Sequence, residues 1–369
     1  MPALTILGGG NTAFAVAANL ALRGWEITLC ELPEFAWTLG PIQASQTIHL
    51  DGVAARGAGT LAEITTDFGA ALARNSDVLL IVPAYAHRPF AQACAPYLRA
   101  GHLVTLTPGT LGALEFAGVL AEHGIDVRTA GITLAETDTA PYVCRKVAPD
   151  AAHVWGVVSG LGVGVYPAVR TAETLPRLEA IFTCDGREGT PTAVRAYPHV
   201  LACGLSAMNP VVHPAGVLLN AGRVERSRGE FYFYEEGVTP AVCAVIEALD
   251  AERRAIGAAL GLELTPVAAA FHAAGFGPAG DLWAAINGSR MLTQLRAPGA
   301  VRTRWLTEDV PYGIGVWAQL GRQIGIATPV MDALHVLGRT AAAIAPEEGR
   351  TLGQLGLAGL TPAEMLGMM

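Results

Sequence analysis

Three features of this sequence predict an α/β domain with a doubly wound, mostly parallel sheet, followed by an all-helical domain. Short apolar runs alternate with Ala-rich helical segments through the first half. A glycine cluster joins the first run to the first helix, and strand-like alternation disappears after about residue 185.

The elements follow in order. Residues 3–8 read as a short buried strand, 11–23 as a helix with apolar positions at 14, 16, 17, 20 and 22, and 25–31 as a second strand. Strand-like runs recur at 77–82 and 102–107, each followed by a helical segment, 87–99 and 111–123. Segments 126–132 and 153–158 could add later strands. The Gly/Thr/Pro patch from Asp185 to Thr192 looks like a boundary, giving a first domain of 1–187 and a second of 188–369. Helical patterns then run over 195–206, 214–227, 239–260, 278–289 and 314–345.

Bulk composition removes several function classes. The chain has 369 residues, 51% hydrophobic and 15% charged, enough for two well-buried cores. Its net charge is −8, and its only lysine is Lys146. That balance argues against nucleic acid, which needs clustered basic residues. The longest weakly polar stretch, Val154 to Val169, is broken by four Gly, a Ser and Pro167, short of the ~18 apolar residues a spanning helix needs. No cationic segment precedes an apolar one at the start, so no secretory signal or membrane contact is expected and the protein reads as cytoplasmic. The six cysteines are scattered and best read as reduced thiols, and the nine histidines form no metal motif, so no metal is expected.

The glycine cluster is Gly8-x-Gly10-x-x-Ala13, between a strand and a helix, the context that marks a Rossmann dinucleotide site. Gly8 allows the tight turn, Gly10 lets the pyrophosphate approach the backbone, and Ala13 lets helix and sheet pack closely. Asn11 opens the helix, whose N-terminal N–H groups face the phosphates. Glu31 ends the second strand about 20 residues on, where a carboxylate accepts from the adenosine ribose hydroxyls. No arginine closely follows it, so NAD is the expected cofactor, with NADP not excluded. Pro83 follows a strand and should lie along the cofactor edge; whether Tyr85 or His87 touches the cofactor is left open.

In the second half, His213 precedes Pro214, which biases its backbone toward extended geometry and lets Pro214 open a helix. A histidine held there could project into a cleft and move protons near neutral pH. By itself it reads more readily as a core histidine satisfied by a backbone carbonyl. Asp309 lies in a charged segment with Arg302, Arg304 and Glu308. It could fix an imidazole, and Arg304 could hold a substrate carboxylate; both could equally be a surface ion-pair patch.

Taken together, the motifs resemble a family. Gly8-Gly9-Gly10-Asn11, Val82-Pro83-Ala84-x-x-His87, Asn209-x-x-x-His213-Pro214, Leu219-Asn220-Ala221-x-Arg223-x-Glu225, Tyr234-x-Glu236-Gly237-x-Thr239-Pro240, Asp250-x-Glu252-Arg253, Arg304-x-x-x-Glu308-Asp309-Val310 and Thr351-Leu352-x-x-Leu355-Gly356-Leu357 occur in one order along nearly the whole chain. In this the chain is similar to the octopine/nopaline (opine) dehydrogenases, including the N-(1-carboxyethyl)amino-acid dehydrogenases. The resemblance implies a Rossmann domain joined to an all-helical domain, with substrates bound between them. It implies NAD(P)H-dependent reductive condensation of an L-amino acid with a 2-keto acid through an imine. It makes His213 the proton donor and acceptor, Asp309 its charge partner, Arg304 the substrate-carboxylate arginine and Thr137 a keto-acid contact. At Thr110 the sequence departs from the octopine-forming members, where glutamine is expected, so their amino-acid preference does not carry over. An Ala-rich helical domain could also support a homodimer.

Two alternatives remain at this stage. A two-domain 2-hydroxyacid or pantoate-type dehydrogenase reduces C=O, but such enzymes use a lysine in or near the helical domain, and Lys146 lies well before it. A non-catalytic NAD-sensing protein would bind cofactor without turnover.

Overall fold

The structure, a computed structural model, describes residues 1–183 and 193–369. The chain divides into two compact units, Met1–Gly204 and Leu205–Met369. The expected domain change between residues 187 and 188 lies outside the described residues, as does Cys184.

The described residues of the first unit form twelve strands. β1 (Ala3–Leu7), β2 (Glu26–Cys30), β3 (Thr47–Gly52), β4 (Gly57–Thr60), β5 (Glu63–Thr65) and β6 (Asp77–Leu80) come first. β7 (Leu103–Leu106), β8 (Thr133–Thr137), β9 (Tyr142–Ala148), β10 (Ala151–Val157), β11 (Gly160–Tyr166) and β12 (Ala193–Ala196) follow. Eight of them form one sheet in the order β12-β11-β8-β7-β6-β1-β2-β5. All its neighbours are parallel except β11 against β8. Leu4, Ile6, Ile27, Leu29, Val78 and Leu79 are essentially inaccessible, as expected for parallel strands covered on both faces. The order reverses at β1, which pairs with β2 on one side and β6 on the other, so the carboxyl ends of β1 and β6 flank the switch point where such sheets bind ligands.

The helix Asn11–Leu22 buries eight consecutive residues, Ala13 to Leu20. An amphipathic helix on one sheet would bury a single stripe. Here a second sheet, β4-β3-β10-β9, packs on the same helix, so both faces are covered. At Gly59 of β4 an added Cβ would lie 2.7 Å from the Ala18 carbonyl oxygen, so only glycine permits this approach. Fully burying Phe14 contributes about 1.5–3 kcal/mol to holding the helix in place.

Four expectations are corrected. Segment 126–132 turns rather than extends, because Asp126 accepts from the N–H groups of Arg128, Thr129 and Ala130; the strand is β8, further on. Residues Ala193–Ala196 pair with β11, and the helix expected over 195–206 spans only Val200–Leu205, after Pro198. The expected helix 314–345 splits into Gly315–Gln323 and Pro329–Ala341 around Gly325, whose φ is +79°. Most relevant here, His213 is not extended before a helix start. The helix begins at Asn209, with Pro210 in its first turn, and runs through Pro214 to Leu219. The missing Pro214 N–H leaves only the Pro210 carbonyl without its helical donor, a cost the buried helix tolerates.

The second unit's regular structure is all helical among its described residues, apart from one bridge between Tyr232 and Arg296. Its core includes Trp317, Ile246, Leu249, Val310, Ile314 and Met331. Arg253, fully buried, donates to Asp250 and to the carbonyls of Leu205 and Thr265. Glu252 accepts from the N–H groups of Val330 and Met331 and thereby caps the Pro329–Ala341 helix. The Asp250-x-Glu252-Arg253 motif is therefore scaffold.

Candidate active site

In the first unit the predicted cofactor residues converge at the carboxyl end of β1. Gly8 has φ +115°, and a Cβ there would sit 2.6 Å from the Ile81 carbonyl oxygen, so this turn requires glycine. Gly10 is the extended residue before the helix, with nothing within 4 Å of where its Cβ would be. No side chain caps the helix start at Asn11, which leaves the first N–H groups, up to Ala13, for an incoming anion. Asn11 instead uses its Oδ1 to accept the Lys146 main-chain N–H at 2.9 Å, tying the helix start to β9.

Glu31 is buried at the end of β2, and its two oxygens accept from Gly9 N–H at 2.7 Å and Leu32 N–H at 2.8 Å. Burial pushes its carboxyl above the usual range, while these two bonds favour the charged form. A carboxylate with spare lone pairs beside a glycine loop fits a dinucleotide ribose. Pro83 follows β6 and leads into a short turn, Ala84–Ala86. Of the two side chains left open, His87 is wholly buried and Tyr85 is half exposed.

Thr110 and Thr137 also lie at carboxyl ends of strands, after β7 and at the end of β8. Thr110 and Leu111 both have positive φ, +50° and +67°, a kink held by buried Glu136, which accepts from Leu111 and Ala113 N–H at 3.0 Å each. Thr137 is fully buried, and its hydroxyl donates to the Thr139 carbonyl at 2.7 Å.

The second unit assembles a different kind of site. His213, midway along the Asn209–Leu219 helix, places Nδ1 2.8 Å from Asp309 Oδ2 and Nε2 3.2 Å from the Tyr234 hydroxyl. A carboxylate only accepts, so Nδ1 carries the proton and Nε2 is left as acceptor of the tyrosine O–H. The indole of Trp305 stacks on the imidazole at 4.4 Å with planes 4° apart, and Phe233 meets Trp305 edge-on at 4.7 Å. The ring is thus fixed in plane by packing and in tautomer by the carboxylate.

Asp309 and Tyr234 each sit on a π-type turn, Asp309–Ile314 and Phe233–Gly237, the latter closed by Val238 N–H to the Phe233 carbonyl. The Tyr234 turn is pinned at its far end. Asn220 donates to the Gly237 carbonyl at 2.9 Å, Glu236 accepts from Tyr232 N–H at 2.8 Å, and Arg223 pairs with Glu236. Burial pushes the Tyr234 phenol well up, the Asp309 charge adds to this, and the Arg304 charge opposes it. Tyr234 is therefore a neutral hydroxyl at physiological pH. Arg304 is exposed at the head of a short helix, Arg304–Thr307, with no ion pair to its guanidinium among the described residues.

The structure thus brings His213 and Asp309 together, with the field of Arg304 reaching the same cluster. Sequence reasoning had no role for Tyr234 or Trp305. The one available signal was that Tyr234 and Arg304 both lay within the quoted motifs.

Comparison with known proteins decides the family. Residues 196–342 match the family described as NAD/NADP octopine/nopaline dehydrogenase, alpha-helical domain. The chain is 33% identical over 361 residues to an opine dehydrogenase of Arthrobacter sp. (strain 1C), covering 97% of this chain and 96% of that one. The chain belongs to the opine dehydrogenase family. It is an NAD(P)-dependent oxidoreductase of that family. A vitopine synthase of Allorhizobium ampelinum is 26% identical over 98% of this chain and 97% of its own length. Among solved structures, octopine dehydrogenase with NADH and L-arginine superposes with a TM-score of 0.78 at 20% identity, covering 99% of this chain and 98% of that one. That likeness confirms the fold, a Rossmann-like domain followed by a helical one.

Proposed function

We propose that this opine dehydrogenase condenses an L-amino acid with a 2-keto acid and that His213 manages the protons of the reaction. The amine attacks the keto carbon, the resulting hydroxyl leaves as water, and the C=N bond so formed is reduced to a secondary amine. When bound, the nicotinamide supplies the hydride. Once substrate displaces the long contact to Tyr234, His213 Nε2 takes the proton that the amine nitrogen loses after attack and then delivers it to the hydroxyl, which leaves as water. Asp309 stabilises the imidazolium that exists before this transfer and keeps the proton of Nδ1 in place. Arg304, an exposed fork with no ion-paired carboxylate among the described residues, holds a substrate carboxylate by two parallel hydrogen bonds. In the first unit Gly8, Gly10, Asn11, Ala13, Glu31 and Pro83 hold the dinucleotide. Thr110 and Thr137 shape the strand ends beyond it, and the buried, internally bonded hydroxyl of Thr137 favours a supporting role over direct substrate contact. The observation that carries this reading is the His213–Asp309 pair at 2.8 Å under a stacked tryptophan.

The test follows NADH absorbance with purified protein and pyruvate, glyoxylate or 2-oxoglutarate, alone and with a panel of L-amino acids. Oxidation that needs both partners is expected. Oxidation with a keto acid alone would place the enzyme among C=O reductases and overturn the reading.

A further inference from the structure

Lys146 is the chain's only lysine, among 24 basic residues. Its position is set by β9, where its main-chain N–H is held by Asn11, the first residue of the cofactor-binding helix. Its ammonium rests 3.2 Å from the centroid of the Phe14 ring, one turn into that helix. No carboxylate pairs with it among the described residues. Glu31, held by the Gly9 and Leu32 N–H groups, is close enough for its charge to act on Lys146 but forms no ion pair with it. The aromatic face replaces only part of the water the ammonium has lost. Burial lowers the ammonium to about 8, against the pull of Glu31. A half-buried cation with no ion pair among the described residues is partnered only by the Phe14 ring and the field of Glu31.

We propose that Lys146 reads the 2′-phosphate of NADPH beside Glu31, so that one pocket accepts both nicotinamide dinucleotides. Glu31 receives the ribose hydroxyls of NADH, and alone it would repel a phosphate at the 2′ position. Lys146 offsets that repulsion with a mobile point charge, the form in which lysine commonly binds phosphate. The pyrophosphate is the other anion within reach. It already has the free N–H groups of the helix start, whereas the ammonium lies a turn further on, in the field of Glu31. This inference concerns cofactor choice and does not depend on the roles given to His213 and Asp309.

Titrations of NADH and NADPH, followed by nucleotide fluorescence, compare wild type with Lys146→Met. Wild type should bind both with dissociation constants within about tenfold. Lys146→Met should weaken NADPH by ~10–100-fold, the range for a lost charge-assisted bond, and leave NADH within about twofold. Lys146→Arg, which keeps the charge, should restore most of the NADPH affinity. An equal loss for both nucleotides would assign Lys146 to the pyrophosphate and overturn the proposal, as would no loss for NADPH or a wild type that rejects it. Should Lys146→Met fail to fold, competition on wild type decides: 2′,5′-ADP must displace NADH more strongly than 5′-AMP, and the reverse order overturns the assignment. A second readout is pH. With Glu31 facing it from the end of β2 and the uncharged Phe14 beneath, the ammonium loses its proton above about 8, so NADPH binding should weaken between pH 7 and 9.5 while NADH binding holds.

Discussion

The two units build polar sites by opposite means. In the first, the polar side chains at the glycine turn are held by the main chain: Glu31 by the N–H groups of Gly9 and Leu32, Asn11 by the N–H of Lys146. In the second, side chain holds side chain, with His213, Asp309, Tyr234 and Trp305 drawn from three separate segments. A site of the first kind depends on backbone path and should be sensitive mainly to changes at glycine. A site of the second kind depends on individual atoms, so single conservative changes should disable it without unfolding the unit.

The largest effect tests that contrast directly. His213→Ala should lower kcat by ~10²–10⁴-fold while NADH binding, measured by fluorescence, stays within about twofold. Full activity in the variant would remove the histidine from the mechanism. Asp309→Asn should come next, on the order of 10²-fold in kcat, because an amide no longer fixes the Nδ1 proton or supports the imidazolium. Its circular dichroism should remain that of the native protein; a collapse of helicity would make Asp309 a scaffold residue instead. Gly8→Ala reverses the pattern. The Cβ is 2.6 Å from the Ile81 carbonyl and φ is +115°, so a loss of about 1–3 kcal/mol in stability and a weaker NADH complex are expected. An unchanged melting temperature with normal NADH binding would break the comparison at its first half. Tyr234→Phe should be mildest, about 2–10-fold in kcat, since one hydrogen bond is lost and both Asp309 and Trp305 still orient the ring. A loss as large as that of Asp309→Asn would make the phenol a direct participant in proton transfer.

The same contrast explains what could be read from the sequence. The strand, glycine turn, helix and strand-end acid of the first unit were legible because they lie within about 30 residues and obey local rules. The second sheet was not. β4 is a four-residue run with two glycines, and β3 pairs with β10 across roughly 100 residues, so no local alternation announces it. In the helical unit the periodicity was visible but the breaks were not, and the Pro214 rule failed because tertiary burial carried the helix through it. His213 and Asp309 are 96 residues apart, so their pairing came only through family resemblance. Trp305 offered no sign at all. An aromatic beside a charged run is indistinguishable from a core residue until the imidazole it covers is known.

The π-type turns carry a consequence for how this site can change. Each holds one residue more per closure than an α-helical turn would. Removing a single residue from 310–314 would let the segment relax into ordinary helix and swing Asp309 by about a quarter-turn or more relative to Trp317 and the helix beyond. Removing one from the Phe233–Gly237 turn would do the same to Tyr234. What these segments encode, more than any one side chain within them, is a length. Insertions and deletions there should be far less tolerated than substitutions, although both turns lie in stretches that look, by composition, like loops.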